Sequence, residues 1–442
     1  MGSGMGLAAQ APAGRPPNIV FLISDDHTAA DLGCYGNPHV RTPNLDRLAA
    51  QGVRFANCFV ASPQCSPNRS AIFTGCAPHT TSTSRLHTPM PPWEPSFLEQ
   101  LKERGYYTGG FRKVHQGNEF NARFDSYSAA KTTKFATFFD KVPAGRPFFL
   151  HVGFTDPHRP YAAGAVTPPH DPAMVRLPRF LPDTKDVRDD LVMYHDFISR
   201  MDGECGELLA LLEARGLAGN TVVFFTGDNG MPFPGAKGTC YDPGIHVPLL
   251  VRWPGVAAAG TVDKRLISHV DLAPTWVEMA GARPAAKMQG RSFAAALRGG
   301  AYTARPAVFS ERNWHDNFDP IRSVRTERYK LIFNAAPHFP YRPALDLEQS
   351  PSWASYLAQA RRGALAPQHL RLLQPSRPML EMYDLQNDPD EFVNIIDDPA
   401  HNGARKELLQ RLGEWMHQTY DYLPPAFTGS AEPRGRGWPL SL

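Results

Sequence analysis

Apolar strand runs are the feature of this 442-residue chain that most restricts its fold. Asn18–Ser24 is a continuous β-rich run, the pattern of a strand covered on both faces in a parallel sheet. Similar runs alternate with helical segments, which predicts a layered α/β domain with a large, mostly parallel sheet between helices. The predicted strands are 18–24, 107–111, 147–154, 221–226, 247–252 and 307–309, and the predicted helices are 44–51, 96–104 and 187–215.

A change of pattern near residue 319 predicts a second domain. The chain is longer than one hydrophobic core usually supports, and two short strands around a polar turn follow at 322–333. A helix from about residue 405 to 420 closes the segment, so we expect a smaller α+β domain with an antiparallel sheet. The predicted division is 1–16 as an expression remnant or disordered leader, 17–318 as the large domain and 319–442 as the C-terminal subdomain.

Charge and cysteine content exclude several classes of protein. Lys and Arg number 46 against 43 Asp and Glu, with no basic tail, which argues against nucleic acid as a partner. The apolar runs are far shorter than the roughly 20 residues of a membrane span, so none is expected. Six cysteines without a CxxC pair indicate neither a disulfide framework nor a zinc site.

The stretch Cys65-Ser-Pro-Asn-Arg69 predicts a helix that begins at a cysteine. Pro67 suits the first helical turn, so Cys65 would lie at the positive end of the helix dipole, where an anion is favoured. Taken alone, such a cysteine is either a low-pKa thiol nucleophile or a buried structural thiol.

Two acidic motifs follow predicted strands. Asp25 and Asp26 come after the first strand, and Asp228 and Asn229 come after the strand at 221–226. Open α/β sheets build their sites at the carboxyl ends of the strands, so we expect these side chains to meet. Each motif alone also fits a helix cap or a turn. Together they form an oxygen ligand set that suits a hard cation such as Ca²⁺ better than zinc.

The cysteine motif resembles the type I sulfatase signature Cys/Ser-x-Pro-x-Arg, and Thr74-Gly75 continues the family pattern. Gly110-Phe-Arg-Lys-Val-His115 is similar to the family's Gly-Lys-x-His element, and two further elements follow in family order, around His158 and Lys237. The resemblance implies an alkaline-phosphatase-like sandwich and a sulfuric ester hydrolase. It assigns catalytic roles to Cys65, Arg69, Lys113, His115, His158 and Lys237, metal ligation to Asp25, Asp26, Cys65, Asp228 and Asn229, and substrate contacts to His87, Asp156 and Arg159.

The resemblance also implies how these groups work. A dedicated maturation enzyme converts the cysteine to formylglycine, and one Ca²⁺ is bound per chain. Arg69, Lys113 and Lys237 stabilise the charge on the sulfate oxygens. His115 contacts the nucleophile, and His158 protonates the leaving group.

Several segments resemble the sulfamidase branch, the heparan N-sulfatases that act on N-sulfoglucosamine. The segments that carry this likeness are 154–159, 228–234, 320–325 and 383–385 with 388–389. That branch carries arginine at the position of Lys237, so this lysine leaves the preference between N- and O-sulfate open. The alternatives are an O-sulfatase of another carbohydrate or aryl sulfate, a phosphonate monoester or phosphodiester hydrolase of the same superfamily, and an unmatured protein that only binds sulfated glycans.

We expect a sulfated saccharide as substrate and allow for a homodimer. The sequon Asn68-Arg69-Ser70 lies inside the cysteine motif, where a glycan would block function, so a bacterial protein is expected. We expect it to be periplasmic or secreted, with a cytoplasmic location left open.

Overall fold

An eight-stranded sheet forms the centre of the larger part of the protein, and a separate four-stranded sheet lies in the C-terminal part. The computed structural model describes residues 16–130 and 134–422, and of the leader predicted at 1–16 only Pro16 falls among them. The strands are β1 Asn18–Ser24, β2 Val53–Phe59, β3 Tyr107–Arg112, β4 Ser126–Ser128, β5 Phe148–Gly153, β6 Thr221–Gly227, β7 His246–Arg252, β8 Thr261–Ser268, β9 Val308–Trp314, β10 Phe318–Arg325, β11 Tyr329–Asn334 and β12 Leu380–Asp384. The helices are α1 Pro43–Ala50, α2 Cys65–Thr74, α3 Phe97–Glu103, α4 Asn118–Asn121, α5 Ala136–Phe139, α6 Lys185–Ala214, α7 Asp242–Ile245, α8 Leu272–Met279, α9 Ala294–Leu297, α10 Leu345–Glu348, α11 Pro351–Arg361 and α12 Asn402–Gln418.

The strand order of the large sheet is β4-β3-β5-β1-β6-β7-β2-β8. Neighbouring strands are parallel except that β7 is antiparallel to both β6 and β2. Ser24 at the end of β1 is paired with Gly227 at the end of β6. The carboxyl ends of β3, β5, β1 and β6 therefore lie side by side at one edge of the sheet, which is where the acidic motifs follow.

Both faces of this sheet are covered. Residues of β1 alternate between two hydrophobic clusters: Phe21 packs on the side of α2, α3 and α8, and Leu22 packs on the side of α1 and α6. Every side chain of β1 is buried, as expected for a central parallel strand. The prediction of a mostly parallel sheet between helices is confirmed.

The second sheet is antiparallel, with the order β12-β11-β10-β9. Leu408 and Leu412 of α12 pack against its Val324, Leu331 and Met382. The predicted small α+β unit with an antiparallel sheet is thus confirmed. The assignment of 307–309 to the large sheet is wrong, because β9 pairs with β10 instead.

The proposed boundary at 318/319 stays a prediction, and β9 shows that the antiparallel sheet already begins at Val308. Among residues 16–130 and 134–422, no helix has the length and apolar character required to cross a membrane.

Candidate active site

The two acidic motifs meet at the carboxyl edge of the large sheet. Asp25 and Asp26 follow β1, while Asp228 and Asn229 follow the adjacent β6. The Asp26 backbone N–H donates to Asp228 Oδ1 at 2.9 Å, and Asn229 Nδ2 donates to Asp26 Oδ1 at 2.7 Å. Adjacent parallel strands thus bring together side chains about 200 positions apart in sequence.

Cys65 is the first residue of α2, as its sequence motif predicted. Its Sγ lies 3.3 Å from Asp25 Oδ1 and 3.9 Å from Asp26 Oδ1. One ligand atom each from Asp25, Asp26, Cys65 and Asp228 falls within 4.8 Å of the others, and all four residues are buried.

Cations surround this group. Arg69 lies one turn after Cys65 and is completely enclosed: Nε donates to Asp228 Oδ2 at 2.8 Å and Nη1 donates to the Lys113 carbonyl at 2.7 Å. Lys113 follows β3, and its Nζ is 2.5 Å from Asp25 Oδ2. Burial alone would raise the pKa of Asp25, but the charge of Lys113, followed by those of His158 and Arg69, holds it below its usual value.

The thiol of Cys65 is poorly suited to act as a nucleophile itself. Burial, followed by the nearby charge of Asp228, raises its pKa well above the ordinary value. A cysteine that attacks as a thiolate needs a lowered pKa. The position at a helix start therefore does not make Cys65 an ordinary reactive thiol in this environment.

The donor set fits a hard cation. Besides the three carboxylates, Asn229 Oδ1 is buried and has no hydrogen-bond partner among the described residues. An enclosed amide oxygen left without a partner is costly, and coordination of a cation would satisfy it. Asp25, Asp26, Asp228 and Asn229 are therefore the residues able to hold a divalent metal, together with the side chain at position 65.

A second group lies on the other side of Asp26. Lys237 Nζ donates to Asp26 Oδ2 and to Asp346 Oδ2, each at 2.8 Å, and lies 3.2 Å from His158 Nε2. Burial would lower the pKa of Lys237, but the carboxylates of Asp26 and Asp346 raise it well above its ordinary value. Lys237 is thus a permanent cation.

His115 and His87 form a pair beside the helix that carries Cys65. His87 Nδ1 lies 2.8 Å from His115 Nε2, and the His87 backbone N–H donates to Ser66 Oγ at 2.7 Å. Burial, followed by the charge of Lys113, lowers the pKa of His115 well below its ordinary value, so its ring is neutral. Both histidines have a left-handed backbone, with φ of 64° and 65°, a strain of the kind found at functional sites.

Two of the residues assigned to substrate contact are engaged elsewhere. Asp156 accepts two hydrogen bonds from Arg200, each at 2.8 Å. Arg159 is buried and binds Asp190 of α6 through both terminal nitrogens, each at 2.6 Å. The structure therefore gathers His87 with the other predicted site residues and leaves Asp156 and Arg159 outside the group.

Asp346 was missed at the sequence level. It lies between β11 and β12, in the C-terminal part, and no motif marks it. The only available signal was the long segment around 333–378, which separates two strands of one sheet. Long connections of this kind commonly carry functional residues.

The arrangement is built to receive an anion. Arg69, Lys113 and Lys237 place three cations against the carboxylates of Asp228, Asp25 and Asp26, and His158 lies beside Lys237. A model of the sulfatase family matches residues 17–282. A model described as the C-terminal part of N-sulphoglucosamine sulphohydrolase matches residues 236–364.

Relatives of known activity align with nearly the whole chain. Human N-sulphoglucosamine sulphohydrolase is 29% identical over 461 residues, covering 92% of this chain and 91% of the relative. An ulvan-active sulfatase from Formosa agariphila is also 29% identical, over 454 residues, covering 90% of this chain and 74% of the relative.

A solved structure of a protein in complex with its substrate D-glucosamine-2-N,6-O-disulfate has the same fold. Its TM-score is 0.70 at 21% sequence identity, and the match covers 93% of this chain and 99% of that one. Structural neighbours of this kind confirm the predicted alkaline-phosphatase-like architecture. The match to the sulfatase family extends over more than half of the chain, and the relatives align with at least 90% of it. The protein is therefore an enzyme of the sulfatase family, with a C-terminal part of the sulfamidase type.

Proposed function

We propose that this protein hydrolyses a sulfate ester or sulfamate on a sugar, with N-sulfoglucosamine of heparan- or heparin-type glycans as the leading substrate. The observation that carries the proposal is the match of residues 236–364 to the C-terminal part of N-sulphoglucosamine sulphohydrolase. The matched segment includes two residues of the site, Lys237 and Asp346, which contact each other. Within this segment, Lys237 precedes β7 of the large sheet, and Asp346 is the side chain that the C-terminal part supplies to the site.

We further propose that Cys65 is converted to formylglycine by a maturation enzyme and that the bound metal is Ca²⁺. The oxygen-rich donor set around Asn229 supports calcium, because an aldehyde hydrate at position 65 replaces the only sulfur ligand by oxygen. When bound, Ca²⁺ acts as a Lewis acid that stabilises negative charge at the reacting group.

The roles of the chain's own residues follow from their placement. Arg69, Lys113 and Lys237 bind and orient the sulfate oxygens, since their charges face the group around Cys65. His158 Nδ1 donates to the Arg159 carbonyl, which leaves Nε2 to move a proton to the leaving nitrogen or oxygen. His115 contacts His87, whose backbone N–H donates to Ser66, the neighbour of position 65. The neutral ring of His115 accepts a proton from the side chain at position 65.

An O-sulfatase is the second candidate. The resemblance to the sulfamidase branch leads us to expect arginine at the position of Lys237, and the ulvan-active relative is as similar in identity as human N-sulphoglucosamine sulphohydrolase. These two observations are the grounds for keeping a sugar O-sulfate as the second candidate.

The deciding experiment compares turnover of N-, 2-O-, 3-O- and 6-O-sulfated glucosamine by protein produced together with a maturation enzyme. N-sulfoglucosamine is expected to have the highest kcat/KM, and Cys65→Ala is the inactive control. A higher kcat/KM for an O-sulfated sugar would select the second candidate, and faster turnover of a phenylphosphonate ester would reject both. The mass of the peptide containing residue 65 reports whether the thiol was converted.

We also propose a periplasmic or secreted location in a bacterium, where a sulfated polysaccharide would be accessible. Self-association as a homodimer stays a prediction, to be checked by sedimentation.

A further inference from the structure

Asp346 is a carboxylate of the candidate site that has no role in the proposed reaction. It lies in the short helix α10, and its side chain is 19% exposed, whereas that of Asp26 is completely buried. Its Oδ2 is 2.8 Å from Lys237 Nζ and 3.7 Å from His158 Nε2. Asp346 therefore contacts both of the groups proposed to act on the sulfate and on the leaving group.

The hydrogen bonds of Lys237 explain why a second carboxylate matters. An ammonium group has three hydrogens. Asp26 and Asp346 accept two of them, and Nζ also lies 3.2 Å from His158 Nε2. Asp26 also belongs to the group of carboxylates around Cys65, whereas Asp346 lies outside that group and contacts Lys237 and His158.

Two contacts fix Asp346 itself. The backbone N–H of its neighbour Leu345 donates to Asp316 Oδ2 at 2.8 Å, which anchors the start of α10. Six residues after Asp346, the Ser352 side chain donates to Asp190 Oδ2 at 2.5 Å.

Asp190 is the same carboxylate that binds Arg159, the residue next to His158. One buried carboxylate of α6 thus holds both the segment that carries His158 and the segment that carries Asp346. Asp346 and His158 therefore lie on segments that are attached to the same residue of α6.

We propose that Asp346 is a positioning residue, whose carboxylate lies against both Lys237 Nζ and His158 Nε2 and so holds the ammonium and the imidazole beside the leaving group. This inference rests on the proposed function. Without the carboxylate, Lys237 keeps only Asp26 as a carboxylate partner, and His158 Nε2 loses one of the two carboxylates that lie 3.7 Å from it. Protonation of the leaving group then suffers, which matters most for substrates that leave poorly without a proton.

The test measures kcat and KM of Asp346→Asn with two substrates. For the sulfated sugar that the wild type prefers, kcat is expected to fall about 10- to 100-fold, while KM stays within about 2-fold. The fall in kcat is smaller than the whole rate factor of general acid catalysis, because His158 itself is still present. For 4-nitrophenyl sulfate, whose leaving group needs no proton, the loss is expected to stay below about 3-fold. Asp390→Asn is the matched control, because it removes one carboxylate from an ion pair with Arg179.

Turnover of 4-nitrophenyl sulfate also shows that the variant is folded. If Asp346→Asn does not fold, Asp316→Asn releases α10 while it keeps the Asp346 carboxylate, and the same pattern with a smaller loss is expected. Equal losses for both substrates, a change in KM alone or an unchanged kcat would overturn the inference. A wild type that turns over no sulfate ester or sulfamate at all would instead reject the proposed function.

Discussion

Arg69 and Asp228 form an ion pair inside the protein, with Nε 2.8 Å from Oδ2 and side-chain exposures of 1% and 0%. Asp228 also accepts the backbone N–H of Asp26, so it joins the ends of β1 and β6 to the helix that begins at Cys65. The pair therefore determines how the helix that begins at Cys65 sits on the carboxyl edge of the sheet.

Replacement of Arg69 by leucine is expected to destabilise the fold as well as abolish turnover. It leaves Asp228 buried without its partner, which costs about 3–5 kcal/mol in the free energy of unfolding. The measurement is denaturant unfolding followed by fluorescence. Arg298→Leu, which breaks an exposed pair with Glu278, is the control and should change this energy by no more than about 1 kcal/mol. A similar small effect for Arg69→Leu would contradict the structural role.

Chelation is expected to lower the thermal midpoint of the protein, and added Ca²⁺ is expected to restore it. A ligand at about 100 times its Kd stabilises the folded state by about 2.7 kcal/mol. Asn229→Ala removes the amide oxygen that lacks a partner and should abolish this response to calcium. Asp183→Asn, at a surface pair with Arg188, should respond as the wild type does. An unchanged midpoint of the wild type after chelation would argue against a metal at this site.

Arg159→Lys is expected to affect stability more than substrate affinity. Lysine keeps the positive charge but cannot make the two-pronged contact with Asp190. Loss of a hydrogen bond between charged groups costs about 1.5–3 kcal/mol, and KM should stay within about 2-fold. The free energy of unfolding and KM are measured on the same preparation. A raised KM without loss of stability would support the predicted substrate contact of Arg159.

Short motifs and strand patterns predicted most residues of the candidate site. The reason is that the residues directly after parallel strands lie together at the carboxyl edge of the sheet. The run at Asn18–Ser24 and the acidic pair after it are examples. Asp346 was beyond such reasoning, since its position depends on attachments to Asp316 and Asp190 that no local pattern encodes. The strand at Val308–Trp314 was assigned to the wrong sheet for a similar reason: its hydrophobicity shows burial and not its partner.

Acid sensitivity of the fold is expected to depend on His151, which is buried in β5 with neither ring nitrogen hydrogen-bonded to any described residue. Burial, followed by the charge of Arg69, lowers its pKa from 6.5 to about 3. Between these values the unfolded chain binds a proton that the folded state does not, so the free energy of unfolding falls by about 1.4 kcal/mol per unit as pH decreases. His151→Leu should remove this contribution and flatten the dependence between pH 6 and 4, as measured by denaturant unfolding. His338 is exposed, so His338→Gln is the control. If the free energy of unfolding of His151→Leu depended on pH as steeply as that of the wild type, His151 would not be the source of the acid sensitivity.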